Sequence, residues 1–436
     1  MNIERLFRLQ ENQTNVSREA VAGLTTWLAM VYIVVVNPQI LSAAGMDFGA
    51  VFVATCLAAA LGTLLMGLLA NYPIALAPGM GLNAFFTYSV VLTMGVPWPV
   101  ALGCVFWSGV IFLLISVSTL RERVINAIPR GVKTGTAIGI GLFLAVIGMG
   151  NAGLIEQGTG TLLTLGDVRT LPVALTTLGF SLIVALHVRG GRWRHWAVIS
   201  GVLAVSVASW LLDETSSLQG VFGPVPSLAP TLFAFEPLAV FELGFVVVIL
   251  ALLFTDFFDT SGTLVAVVKQ AGFERPDGTI PRLNRALIAD SGATIAGSML
   301  GTSTTTSYIE SSAGIAAGGR TGLTSVVVSG LFLLTLFLSP LAASIPVYAT
   351  APALLYVAIL LVSTLREYTH WEEFSETAPM IVAALVMPLT YSIADGIAAS
   401  CLVYVLVKVL SGQARDISPI MAALALLFLA RFLFLG

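Results

Sequence analysis

Apolar runs such as Val240 to Phe254 and Val326 to Leu338 recur along the chain with scarcely a charge inside them. Such runs, extended to roughly 20 residues, read as helices that cross a bilayer. In lipid the backbone must satisfy its own hydrogen bonds, and a helix does so within one segment. The alternation of apolar and polar residues that marks a membrane barrel is absent. Composition closes off the soluble alternative. Of the 436 residues, 57% are hydrophobic and 10% charged, whereas an ordinary soluble domain is about one-quarter charged. A water-facing surface cannot be made from so few charges. The sequence describes an all-α polytopic membrane protein whose expected task is transport.

Fourteen spans are expected, at residues 19–42, 50–70, 77–95, 99–118, 132–150, 171–188, 195–212, 241–268, 284–300, 303–318, 321–342, 350–364, 375–391 and 394–410. A last apolar stretch, Met421 to Phe434, is either a fifteenth span or a tail lying on the membrane. The polar first seventeen residues contain no secretory signal, so the first span is expected to direct insertion. The basic residues give an orientation. With a cytoplasmic N-terminus, all of the 20 Lys and Arg residues except Arg169 and Arg431 fall on the cytoplasmic side. That asymmetry is what positive-inside insertion produces.

The two halves carry similar punctuation. NAIPRGVKTGTAIGIGLFL (126–144) and ASIPVYATAPALLYVAILL (343–361) each place a small-residue Ile-Pro pair before a short apolar helix. NYPIALAPGMGLNAFFTY (71–88), in the third span, and GTSTTTSYIESSAGIAAGG (301–319), in the tenth, hold the same place in each seven-span half. Proline removes a backbone donor, and a Thr/Ser run favours helix weakly. Both segments are expected to begin extended and turn helical midway, and the two extended pieces to pair as a short ribbon. Interrupted segments at matching places are the mark of an inverted-repeat transporter. The helix starts that follow offer free N–H groups to ligand acceptors. The competing reading is a pair of packing helices rich in small residues.

Most acids lie in loops or at span ends; Asp256, Asp259 and Glu310 do not. A charge at mid-membrane costs about 2.5–3.5 kcal/mol for Asp, so such residues face polar cavities. Asp256 and Asp259 are three apart and share a helix face. All Lys and Arg sit at span ends or in loops. Carboxyls in this setting can take up and release protons, which is what proton coupling requires. A carboxylate is also a two-point acceptor for a heterocycle with adjacent N–H groups. The alternative for each is to lock helices together, and Asp290, nearer the cytoplasm, is read as structural or gating. Asn83, just after PGMG, serves either a ligand or the start of its helix. Thr304, Thr305, Thr306 and Ser307 offer hydroxyl and backbone groups. Of Phe257 and Phe258, between the two Asp residues, one is placed to stack on a flat substrate, with packing as the alternative. Asn37 and Pro38 are expected to break the end of the first span.

Several functions drop out. His187, His195 and His370 are scattered, so no metal site is expected. No Walker P-loop and no nucleophile–base pairing is present. The net charge of −3 includes no basic tract for nucleic acid. Cys56, Cys104 and Cys401 lie in apolar segments and read as core residues. No cofactor is expected, and an ion gradient is the expected source of energy.

LAPGMGLNAFFTYSVV, LLFTDFFDTSGTLVAV and GTSTTTSYIESSAGIAAGGRTGLTSVV, with MPLTYSIADGIA near the end, resemble the AzgA-like purine permeases of the nucleobase–ascorbate transporter superfamily. The resemblance runs along nearly the whole chain. It implies fourteen spans in two inverted seven-span repeats, with short strands interrupting spans 3 and 10. It implies a core domain (1–120 and 241–342) and a gate domain (121–240 and 343–436). The family's eighth-span acid falls on Asp259, by the D-x-x-G-x-L pattern of DTSGTL, or on Asp256 if the register shifts. Its tenth-span carboxylate falls on Glu310 and its third-span Asn on Asn83. Proton-coupled uptake of purine bases across the cytoplasmic membrane is implied. The residues do not separate guanine and hypoxanthine from adenine, and the first two are favoured. Substrate would meet Glu310, Asp259, Asn83, Phe258, Thr305 and Ser307. Protons would pass by Asp259, Asp256 and Glu310. The gate surface, in contact with lipid, is where related families form homodimers. The rival is an anion carrier of similar architecture, of the sulfate or bicarbonate kind.

Overall fold

A computed structural model of the chain describes residues 3–118, 128–158, 160–213, 216–239, 243–273 and 280–434. In chain order the elements are α1 (Ile3–Phe7), α2 (Val16–Met30), α3 (Ile33–Ser42), α4 (Phe48–Leu65), β1 (Leu76–Pro78), α5 (Met80–Ala84) and α6 (Trp98–Val117). Next come α7 (Arg130–Ala152), β2 (Ile155–Gln157), β3 (Leu163–Leu165), α8 (Leu171–Arg189), α9 (Arg192–Leu212), α10 (Leu243–Gln270) and α11 (Leu283–Leu300). The last are β4 (Thr305–Ser307), α12 (Ser311–Ala316), α13 (Gly322–Thr335), α14 (Ser339–Ala343), α15 (Val347–Val362), α16 (Phe374–Thr390), α17 (Ile393–Leu410) and α18 (Pro419–Phe434).

Among the described residues, nine helical stretches are long and apolar enough to cross a membrane. The other expected spans fall on the long α10, on the shorter α16, on the more polar α11, or on the segments that hold β1 and β4. Length and apolarity alone therefore mark fewer crossings than the fourteen expected. The Met421 to Phe434 stretch is helical as α18 and packs on α17, with Met421 and Phe428 buried.

Helix starts follow local chemistry. The side chains of Asn15 and Asp47 accept the backbone N–H of Arg18 (2.9 Å) and Ala50 (2.7 Å), satisfying donors that the first turns of α2 and α4 leave open. Gly153 closes α7 with φ +75°, a left-handed conformation that glycine adopts without a side-chain penalty. The first span does not break where expected. Asn37 and Pro38 lie inside α3, and the interruption falls at Val31 and Tyr32. Pro38 cannot donate to the carbonyl of Val34, and its ring crowds that turn. The irregularity is taken up upstream, where Val34 and Val35 bond three residues back, to Val31 and Tyr32.

Glu19, fully buried in the first turn of α2, caps a different helix. Its carboxylate accepts the backbone N–H of Arg320, Thr321 and Thr324 and the hydroxyl of Thr324 (2.6 Å), at the start of α13. An acid at a helix N-terminus satisfies open donors and meets the positive end of the helix dipole.

Packing divides the helices into two groups. α2, α4, α6, α11 and α13 pack on one another, α3 on α4, α10 on α6 and α12 on α2. α7 packs against α15, α16 and α17, α8 against α9, and α15 against both α8 and α9. The first group surrounds a two-stranded antiparallel ribbon, in which Leu76, Ala77 and Pro78 of β1 face Ser307, Thr306 and Thr305 of β4. Every residue of both strands is buried. The irregular backbone is thereby shielded from lipid, as an unwound membrane segment requires. A second small hairpin, β2 with β3, lies between α7 and α8.

Candidate functional site

The ribbon explains how the two interrupted segments become one structure. Pro73 and Pro78 cannot donate to a helical ladder, so residues 72–79 stay out of helix until Met80 starts α5. The Thr/Ser run 302–307 stays extended until Ser311 starts α12. Bonds beyond the strand pairs lengthen the contact: Gly79 N donates to Thr304 O (3.0 Å), Tyr308 N to Ala75 O (3.0 Å) and Tyr308 Oη to Pro78 O (2.5 Å). A Cβ at Gly79 would lie 2.7 Å from Thr306 Cγ2, so the close approach needs glycine.

One side of β4 meets carboxyls from α10 and α11. Asp259 accepts from Thr306 Oγ1 at 3.3 Å. Thr306 Oγ1 is also 2.9 Å from Thr260 Oγ1, and Thr260 donates to Asp290 at 2.9 Å. Ser307 Oγ reaches Asp290 at 3.3 Å. Asp256, buried one turn before Thr260, is reached by Thr260 Oγ1 and Thr294 Oγ1, each at 3.5 Å. Thr294 in turn donates to the carbonyl of Thr305 (3.0 Å). Each hydroxyl has one proton to give, so Thr260 cannot serve both Asp256 and Asp290 at once. No Lys or Arg among the described residues touches these acids. Carboxyls joined through shared hydroxyls in a dry interior can hold a proton and hand it on.

Glu310 stands at the entrance of α12, and Tyr32 Oη donates to its Oε1 at 2.7 Å. Tyr32 lies at the junction between α2 and α3. A Cβ at Gly314 would strike Thr26 Oγ1 and the carbonyl of Ala22, so α12 sits as close to α2 as backbone allows. Beyond the other end of the ribbon, Asn83 accepts from Ser303 Oγ, while its own Nδ2 is buried with no hydrogen-bond partner among the described residues. Asn37 Nδ2 bonds Thr55 (2.7 Å) and Thr302 (2.9 Å), tying the segment before β4 to α3 and α4.

The structure therefore brings Asp256, Asp259, Thr305, Ser307 and Glu310 of the expected set to β4 and its flanks, with Asn83 near the start of α5. Phe257 is buried edge-on against Phe112, with ring centroids 5.2 Å apart, so packing is its role. The side chain of Phe258 lies outside the described residues. Asp290, expected to be structural or gating, belongs to the same hydroxyl network as Asp256. Tyr32, Thr260, Thr294 and Ser303 were not singled out from sequence. Thr260 had a signal, being four residues, one helical turn, past Asp256. Tyr32 had less: it is one polar hydroxyl in the run MVYIVVV.

Comparison with known proteins adds the lineage. A family model described as "Permease family" matches residues 17–399. The adenine permease AdeP of Escherichia coli is 43% identical over 433 residues, covering 99% of this chain and 96% of that one. The guanine/hypoxanthine permease PbuG of Bacillus subtilis is 44% identical over 447 residues, covering 99% and 100%. Among solved structures, the transmembrane domain of a cyanobacterial bicarbonate transporter, BicA, superimposes with a TM-score of 0.63 at 16% identity, over 88% of this chain and 97% of that one. At that identity the likeness concerns fold alone.

Proposed function

Since the chain belongs to the permease family, and is therefore a membrane transporter and not an enzyme, we propose that it is a proton-coupled symporter of purine nucleobases. The observation that carries this reading is the buried β1–β4 ribbon, with Asp259 and Glu310 both presented from its β4 side. A purine offers a flat face with N–H donors and ring acceptors on one edge. Glu310 accepts from that edge, and backbone N–H groups near Asn83 and Ser307 meet ring acceptors. The unpartnered Nδ2 of Asn83 adds a donor for a ring nitrogen or carbonyl. Thr305 shapes the strand, and Phe258 supplies a ring to stack. Asp259 binds substrate or carries the proton, with Asp256 behind it. The relatives named for adenine and for guanine/hypoxanthine support purines as the class, and within it we favour hypoxanthine and guanine.

The wider reading is fourteen spans in two inverted seven-span repeats, with a cytoplasmic N-terminus in the cell membrane. Residues 1–120 and 241–342 form the core, and 121–240 and 343–436 form the gate. The two helix groups pack chiefly within themselves, with α9 also meeting α2, and this supports that division. Core and gate rock against each other to alternate access, and the lipid-facing gate is where two copies meet. The anion-carrier reading draws on fold likeness, but acids on the β4 side repel an anion.

The test is uptake of radiolabelled hypoxanthine, guanine, adenine and uracil into a transport-deficient host, with and without a protonophore. Protonophore-sensitive purine accumulation is expected. Glu310→Gln is expected to abolish it with normal amounts of protein in the membrane. Ordinary saturable purine uptake by that variant overturns the site assignment.

A further inference from the structure

Tyr391, in the MPLTYSIADGIA stretch, has a contact that the substrate site does not explain. Ser89 Oγ donates to its carbonyl at 2.6 Å, across 302 residues of sequence. Ser89 is buried in the π-helical run Phe85–Thr93, which continues α5 past Asn83. Tyr391 lies between α16 and α17 with φ +53°, the left-handed region that a residue with a side chain enters at a cost. Such a conformation persists where its surroundings hold it. Here the Tyr391 amide closes α16 on the carbonyl of Met387, Ser392 caps the start of α17, and the Tyr391 ring meets Phe143 of α7 edge-on, with centroids 5.8 Å apart. The carbonyl is thus presented to Ser89 by a residue fixed at three points.

The same rod meets α7 again at its start. A Cβ at Gly81 would strike Ile140, so α5 approaches α7 with no room for a side chain. Ile140 and Phe143 are three apart and share one face of α7. The rod that carries Asn83 therefore rests on one strip of the other helix group, formed by Ile140 at one end and by Tyr391 backed by Phe143 at the other.

We infer that the Ser89–Tyr391 bond is a latch between core and gate, made while the outer side of the substrate site is closed and broken when it opens. The inference rests on the core-and-gate reading with a cytoplasmic N-terminus, which puts Ser89 and Tyr391 toward the outer ends of the third and thirteenth expected spans. A hydrogen bond is lost once its atoms part by about 1 Å, so a movement of core against gate that admits a purine breaks this one. Parting orphans neither group. A serine within a helix can donate instead to a carbonyl one turn back, and a carbonyl past a helix end on the outer side is left to water. Ser89 then acts as a positioning residue: it adds weight to the closed form and does not touch the substrate.

Full-length wild type, Ser89→Ala, Ser89→Val and Ser89→Thr are tested in right-side-out membrane vesicles, by equilibrium binding of labelled hypoxanthine and adenine from the outside with no ion gradient. Ser89→Val and Ser89→Thr share a shape and differ in the hydroxyl. Losing the bond shifts the population toward the outward-open form. Ser89→Ala and Ser89→Val are therefore expected to bind external purine about three- to tenfold more tightly than wild type, the worth of one hydrogen bond, with Ser89→Thr at the wild-type value. Damage to the fold weakens binding and does not tighten it. Unchanged or weaker binding by Ser89→Ala, or equal binding by Ser89→Val and Ser89→Thr, overturns the latch and leaves purine transport standing. A wild type that binds neither base, with protein present in the membrane, overturns the purine reading and the latch with it. Ser89→Ala, the smallest change, keeps the test valid if the branched variants misfold.

Discussion

Tyr32 and Glu310 stand 278 residues apart in the chain and meet in a hydrogen bond of 2.7 Å. The bond fixes the carboxylate at the entrance of α12 and ties the break in the first span to the segment after β4. Tyr32→Phe removes the donor and keeps the ring. Its expected effect is a rise in KM for purine of about tenfold, close to the worth of one hydrogen bond to a charged group, ~1.5 kcal/mol. Initial-rate uptake over a range of substrate concentrations reads it. An unchanged KM would remove Tyr32 from the site.

Thr260 is the hydroxyl that Asp290, Asp256 and Thr306 share. Thr260→Val is nearly isosteric and leaves buried carboxyl oxygens without a donor, at a cost of about 1–3 kcal/mol. Both thermal stability in detergent and uptake are expected to fall, and Thr260→Ser is expected to restore both. If the Val variant matches wild type, the hydroxyl network does not matter.

The ribbon itself can be trapped. Ala77 and Thr306 are Cα partners across β1 and β4, a geometry within reach of a disulfide. The native thiols, Cys56, Cys104 and Cys401, are buried. In the Ala77→Cys/Thr306→Cys double variant, mild oxidation is expected to form a cross-link, seen as one linked peptide by mass spectrometry after proteolysis. Pairing Ala77→Cys with a residue of α13 is expected to give none.

Glu19 offers a stability test away from the ribbon. Glu19→Ala strips the acceptor from three backbone N–H groups and from Thr324. A loss of about 1–3 kcal/mol is expected, with Glu19→Gln losing less because it keeps one acceptor oxygen. Thermal unfolding of the purified protein checks the order of the three proteins.

Helix positions were legible in the sequence because each is written in a contiguous stretch. The two extended segments were legible for the same reason: prolines 73 and 78 and the Thr/Ser run 302–307 act on their own neighbours. Pairings were not. Nothing near Glu19 announces Thr324, 305 residues away, and nothing near Tyr32 announces Glu310. From sequence Asp290 reads as structural or gating because it sits toward the cytoplasmic half of its helix. Only the crossing of α10, α11 and β4 shows that it shares a donor with Asp256. Pro38 marked a real disturbance of the first span, but backbone strain from a proline is relieved upstream, and the open turn fell at Val31 and Tyr32.

Tyr308 and Pro78, whose bond lengthens the ribbon, are 230 residues apart. During synthesis β1 leaves the ribosome long before its partner exists. Until β4 arrives, the extended stretch around Pro78 has no strand to pair with, and its carbonyls and amides must be met by water or by neighbouring helices. The ribbon, and with it the proposed substrate site, cannot form until β4 has been made. A chain cut short anywhere before residue 305 keeps many of its helices and lacks the ribbon altogether.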